Sequence, residues 1–226
     1  MARIVKTPDE RRRELIACAQ KLFYSKGYES TSVRDIVKAA GVAKGTFYYY
    51  FDSKQAILQA LVNEIVAQAI AILHEIVEDG TLSAIPKWRK AFQAVDKWKI
   101  ERKAEMIEIA RLIQRDENVL LQYKIVRQRR EMLGPEFAKI ITQGIEEGVF
   151  DSAFVEDSAQ IVLSIMDTFF ESIVDLFLYP DDYDNPVALA RRKFVAMQTA
   201  IERVLGAPVG SLPLIDIQQL EAWFED

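Results

Sequence analysis

Residues 32–54 read SVRDIVKAAGVAKGTFYYYFDSK, and the fold follows from how this stretch divides. Val33, Ile36, Val37 and Ala40 recur at three- and four-residue spacing, which is one apolar helical face. Ser32 followed three residues later by Asp35 is a capping pattern at the start of that helix. Gly41 takes positive φ without penalty and ends the helix abruptly. Val42 then plugs the crease, and a second helix begins almost at once. Two short helices about a tight glycine corner form a helix-turn-helix.

At about 100° per residue, Phe47 and Phe51 share one face of the second helix, with Ala43 beside them, and this face is assigned to the core. Gly45 and Tyr49 point the opposite way, flanked by Thr46 and Tyr48. That outward face suits a nucleic-acid duplex. Gly45 admits a close backbone approach, Thr46 and Tyr49 reach toward base edges, and the Tyr48 hydroxyl toward phosphate. Lys44 and Lys54 bracket the helix as cations. A plain helical bundle with a tyrosine-rich surface is the competing reading. Charge weighs against it: residues 1–54 hold 11 Lys and Arg against 6 Asp and Glu, whereas the remainder holds 18 against 28. A basic head on an acidic body is the distribution that a DNA contact at one end requires.

The helix ending LFYSKGYESTSV, then RDIVKAAGVAKGTFYYYF, then a helix opening at DSK resemble the N-terminal domain of the TetR family of bacterial transcriptional regulators. The resemblance covers about a quarter of the chain. It implies that Ser32, Arg34, Lys44, Gly45, Thr46, Tyr48, Tyr49 and Lys54 form the DNA-contact set, with Arg34 reading a guanine and Lys54 holding a phosphate. Tyr50 stands where the family more usually has histidine. The resemblance further implies a regulator, most often a repressor, released from an inverted-repeat operator on double-stranded DNA by a small-molecule effector.

Upstream, Thr7-Pro8-Asp9-Glu10 predicts a helix start with proline at its first position and a Thr-x-x-Glu box. Leu15, Ile16, Ala19, Leu22 and Phe23 form its apolar stripe, and Gly27 stops it. Arg3, Lys6 and Arg11 to Arg13 form a basic arm that either reaches a groove or phosphate or lies solvated. Cys18, the single cysteine, excludes an intrachain disulfide and fits a reducing compartment; it is read as a small packed residue. The first residues are polar and basic rather than a secretory segment. Ile161 to Leu178, read as the most apolar stretch, is broken by Asp167, Glu171 and Asp175 and so does not span a membrane. A cytoplasmic protein is expected.

Downstream, Ser53 opens a long helix toward Asp79 that runs from the head into the body as a lever. His74, the only histidine, lies on it, with no cysteine nearby to make a zinc site. Gly134-Pro135 marks a break or kink, and the run Lys124 to Arg130 reads as a solvated face. Met106, Ile109, Tyr123, Asp167, Phe169 and Phe170 are candidate effector-pocket residues. Asp167, Glu171 and Asp175 offer either an acidic wall for a cationic ligand or partners for Arg191, Arg192 or Lys193. Val187, Ala190, Phe194, Met197, Ile201 and Val204 step by 3, 4, 3, 4, 3, the spacing of a knobs-into-holes seam, and are assigned to a homodimer interface built as a four-helix bundle. Leu214 to Phe224 reads as a short amphipathic helix.

The expected architecture is all-α: a three-helix helix-turn-helix domain over residues 1–52 and a helical ligand-binding and dimerisation domain over 53–226. No nucleophile–base pair, metal cluster or phosphate-cradling glycine loop is legible, so neither an enzyme nor a cofactor or metal is expected. The alternatives are a helical dimeric interaction protein, or an enzyme with a vestigial DNA-binding head.

Overall fold

The computed structural model describes residues 6–115, 118–214 and 217–225, and every regular element among them is helical. In chain order these are α1 (Pro8–Lys26), α2 (Val33–Ala39), α3 (Lys44–Tyr50), α4 (Lys54–Val77), α5 (Ala84–Ile100), α6 (Lys103–Ile113), α7 (Val119–Glu146), α8 (Val155–Leu178), α9 (Pro186–Val204) and α10 (Ile217–Ala222), with a 3₁₀ turn at Pro180–Asp182. Arg3 of the basic arm lies outside the described residues.

The described residues form two compact units. One runs to Val66 and adds Leu112–Ile125; the other comprises Ala67–Arg111 and the chain from Val126. The first is fixed by its caps. The Thr7 hydroxyl accepts from the Glu10 amide at 3.3 Å, and the Glu10 carboxylate accepts from the Thr7 amide at 2.7 Å. Ser32 and Asp35 repeat this box at 2.9 and 3.2 Å. Gly27 and Gly41 take φ of 84° and 63° where α1 and α2 stop. Ser53 accepts from the Ala56 amide at 3.0 Å and so starts α4. Leu15, Ile16, Ala19, Phe23, Ile36, Phe47, Phe51, Ile57, Leu58 and Leu61 are buried.

The core of the second unit centres on Trp88, fully buried with the rings of Phe92 and Phe137 each 5.4 Å away. The segment after α9 is pinned by Glu202. This buried carboxylate accepts from Gln198, from the Gly210 amide at 2.9 Å and from the Leu212 amide at 3.0 Å. Beyond it, Trp223 donates to Asp96 at 3.1 Å and packs on Phe177.

Several expectations change. Of the break or kink expected at Gly134-Pro135, the break is absent: α7 runs from Val119 to Glu146 with the proline inside, so one ladder bond is forfeited and the flanking turns carry on. Among the described residues only α4, with an 18-residue stretch of mean hydropathy 1.8, is long and apolar enough to cross a membrane, and 161–178 with its three acids is not; in α4, Ile57, Leu58 and Leu61 are buried in the first unit and Leu73, Ile76 and Val77 in the second. The seam assigned to a second subunit is occupied within the chain. Ala190, Met197 and Ile201 are buried in the core, Phe194 meets Phe169 at 4.4 Å, and Val204 packs behind them. Val187 is half-buried on the same helix. The spacing correctly identified a packed face, but the partner is α8 of the same chain.

Gly41→Ala places a Cβ where no atom lies within 4 Å, so its cost is backbone strain alone, about 1–2 kcal/mol for a non-glycine residue at positive φ. Urea denaturation should show that loss without a change of m-value.

Candidate nucleic-acid interface

α3 has seven residues and no side-chain cap at its start, too few to hold a helix unaided. Phe47 fixes it: the ring is 0% exposed and tilts against Phe51 at 5.8 Å. Ala43, expected beside them, is instead the exposed N-cap residue, since the helix begins one position later. On the opposite face Tyr49 is 78% and Tyr48 46% exposed, and a Cβ added at Gly45 would meet nothing within 4 Å. Lys44 is exposed, with its ammonium 5.6 Å from the Tyr48 ring centroid. Thr46 is half-buried at the edge of this surface. Tyr50 is half-buried and meets Tyr49 edge-on at 4.8 Å, orienting it.

The flanking candidates divide. Arg34 is exposed on α2. Ser32 is spent on its cap: its hydroxyl donates to Asp35 at 2.8 Å while accepting from the Asp35 amide. The Lys54 ammonium donates to the Tyr28 carbonyl at 2.9 Å and lies 4.0 Å from the Tyr28 ring centroid. It therefore braces the α1–α2 connection while keeping two further donors. Of the basic arm, Lys6 and Arg11 both pair with Glu14, and Arg12 lies over Phe51. These cations hold α1 in place.

Sequence reasoning missed three braces. Thr31 is buried and donates to the Gly27 carbonyl at 2.8 Å. Lys26 bridges to Asp35 at 2.8 Å, which together with the Ser32 bonds holds that carboxyl far below the usual carboxylate range. From the α6–α7 junction, Asn118 accepts from Gln55 at 3.2 Å and donates to the Leu112 carbonyl at 2.7 Å, and Arg115 reaches Glu29 at 2.7 Å. Only the first two have a local signal; the last depends on residues 63 and 86 positions apart.

The pocket candidates scatter. Tyr123 is 63% exposed and belongs to the first unit, whereas Met106, Ile109 and Phe170 belong to the second. Phe169 is core, Ile109 is buried, and Met106 and Phe170 are half-buried. Asp167 is buried and pairs with Arg129 and Arg130 of α7, not with Arg191, Arg192 or Lys193. That excludes a free acidic wall and corrects the reading of 124–130 as solvated. Among the described residues, His74, Glu78 and Glu136 have metal-ligand spacing. The Lys139 ammonium sits 2.6 Å from Glu78 and 3.4 Å from Glu136, making the group an ion-pair network.

A family model described as "Bacterial regulatory proteins, tetR family" matches residues 15–61. The transcriptional repressor KstR2 of Mycobacterium tuberculosis H37Rv is 27% identical over 154 residues, spanning 66% of this chain and 74% of that protein. A tetR-family regulator from Syntrophomonas wolfei superposes with TM-score 0.62 at 22% identity, over 86% of this chain and 96% of that one. The repressor FadR of Thermus thermophilus, in complex with lauroyl-CoA, does so with TM-score 0.59 at 21% identity, over 84% and 94%. These likenesses in fold extend through both units.

Gly45→Ala fits without a clash, and replacing a helical glycine gains up to about 1 kcal/mol. The variant should melt at or above the parent temperature yet bind promoter DNA more weakly, because the new methyl stands on the approach surface. Unchanged affinity would remove Gly45 from the interface.

Proposed function

We propose that this chain, which belongs to the tetR family of bacterial regulatory proteins, is a homodimeric transcriptional repressor that a small molecule releases from an inverted-repeat operator. The observation carrying this reading is the bare face of α3: Tyr49 stands out at 78% exposure on a helix whose other side is anchored by a fully buried Phe47. Residues 1–52 are assigned to DNA reading and 53–226 to effector binding and pairing. Arg34, Lys44, Gly45, Thr46, Tyr48 and Tyr49 contact the duplex. Lys54 adds a phosphate contact through the donors Tyr28 leaves free, and Ser32 serves chiefly as a cap.

One seven-residue helix reads few bases, so useful specificity requires two copies on half-sites about 34–36 Å apart or a multiple of that distance. With the Val187 to Val204 seam used internally, pairing falls to the faces that α8 and α9 leave uncovered. Ile161 is 48% and Val195 61% exposed there, beside exposed Thr168, Ser172, Ala188 and Ala196. Small and aliphatic side chains on adjacent helices suit close packing in a four-helix bundle.

Release follows from linkage: an effector shifts the equilibrium only by its differential affinity for the DNA-competent and incompetent states. The 112–125 segment, continuous in chain with α6 and α7, is hydrogen-bonded to the head through Asn118 and Arg115. Effector contacts on α6 or α7 are thereby felt at α4 and at the α1–α2 connection. The kinship with KstR2, named a repressor, supports repression, and FadR, solved with an acyl thioester, supports a small-molecule effector.

The test is equilibrium binding to the DNA flanking its own gene and to random DNA over a range of salt. Tyr49→Ala and Thr46→Ala should lose about tenfold or more on specific DNA, as a base contact is worth about 1–3 kcal/mol, and little on random DNA. Lys44→Ala should lower both and reduce the salt slope by about 1. Equal losses on the two DNAs for all three variants overturn the division of roles, and a monomer by sedimentation overturns the pairing.

A further inference from the structure

Asp167, Phe170 and Glu171 lie on one side of α8, and three cations converge on that turn. Arg129 pairs with Oδ1 of Asp167, and Arg130 Nε reaches its Oδ2 at 2.5 Å. One buried carboxylate thus answers two guanidiniums. The third cation is Lys99 of α5. Its ammonium lies 4.8 Å from the Phe170 ring centroid and has no hydrogen-bond or ion-pair partner among the described residues. Burial pulls its pKa below the usual lysine value; Asp96 works against that shift and Arg129 adds to it. Burial likewise lowers the pKa of Arg129, with Arg130 adding to the effect and Glu171 opposing it.

Apart from Asp167, the acids facing this cluster are held elsewhere or lie at its rim. Asp96 Oδ1 accepts from Trp223, Oδ2 is buried without a hydrogen-bond partner, and burial raises its pKa above the usual aspartate value, with Trp223 and Lys99 opposing the shift. Glu171 is exposed. A half-buried cation whose nearest carboxylate, Asp96, is itself held by Trp223 is incompletely compensated, and an anion that arrives from outside relieves that cost. A charged group beside a half-buried aromatic ring is also what fixes the orientation of an otherwise apolar ligand.

Given the effector site assigned to this domain, we infer that Lys99, with Arg129 behind it, is the anion-binding end of that site, and that the effector is an apolar molecule carrying one acidic head group. Phe170 supplies the adjoining ring surface. The polarity is opposite to an acidic wall for a cationic ligand.

Two dyes separate charge from apolar fit: 8-anilinonaphthalene-1-sulfonate, and N-phenyl-1-naphthylamine, which shares its rings but lacks the sulfonate. Fluorescence titration of the full chain should give saturable binding of both. Lys99→Met, close in length and without charge, should weaken the sulfonate dye tenfold or more and the neutral dye less than twofold, while Lys99→Arg retains the sulfonate dye. Melting curves check that the variants are folded. If Lys99→Met weakens both dyes equally, or neither, the anion assignment falls while the effector site stands. If the parent binds neither dye, the anion assignment and the proposed apolar effector site fall together. A folded Lys99→Arg variant that loses the sulfonate dye as Lys99→Met does also overturns the assignment, because the charge is then not what recognises it.

Discussion

The burial of Phe47 is the contact on which the rest of the head depends. A helix of seven residues without a side-chain cap gains too little from its own hydrogen bonds to persist, so it exists only because tertiary packing holds one side. Phe47 and Phe51 provide that packing, and both are on the side facing away from Tyr49. The anchoring residues and the exposed residues are therefore separate. In the proposed function the exposed face can change chemically at little cost to the fold, as a sequence-specific reader requires.

The braces around that helix serve the same end. Capping boxes on α1 and α2, Thr31 against the Gly27 carbonyl, and Lys26 on Asp35 fix the turns leading into it. Most surface ion pairs contribute little to stability, and several here are exposed. Their consequence is positional: cations that composition alone would send to phosphate are held against acids of the same unit, as Lys6 and Arg11 are by Glu14. Lys44 and Arg34 remain exposed, and in the proposed function they carry the duplex-facing charge, with Lys54 shared between DNA and Tyr28.

Local signals in the sequence carried the head nearly whole. Thr-x-x-Glu, Ser-x-x-Asp, Gly27 and Gly41 each act within four residues of themselves, so their effect is readable without a fold. The body was legible only as helices. The Val187 to Val204 spacing states that a face is buried and says nothing about which chain buries it. The docking of the segment after α9 was equally illegible, because Glu202 holds it through backbone amides at Gly210 and Leu212, and an amide is present at every non-proline position.

The sign of the interior charge shows the same limit quantitatively. Asp167, Glu171 and Asp175 recur at four-residue spacing, which suggests one stripe. At about 100° per residue each step of four advances about 40° around the helix, and by Asp175 the drift reaches about 80°. Asp167 is accordingly buried while Glu171 and Asp175 are exposed. The basic run on α7 divides in the same way: Arg127 faces out toward Glu131, whereas Arg129 and Arg130 turn inward onto Asp167. Counting charges along either helix gives an acidic wall and a solvated basic face. Resolving them by angle leaves one buried carboxylate among three half-buried cations, which is why the proposed site is one for anions and not for cations.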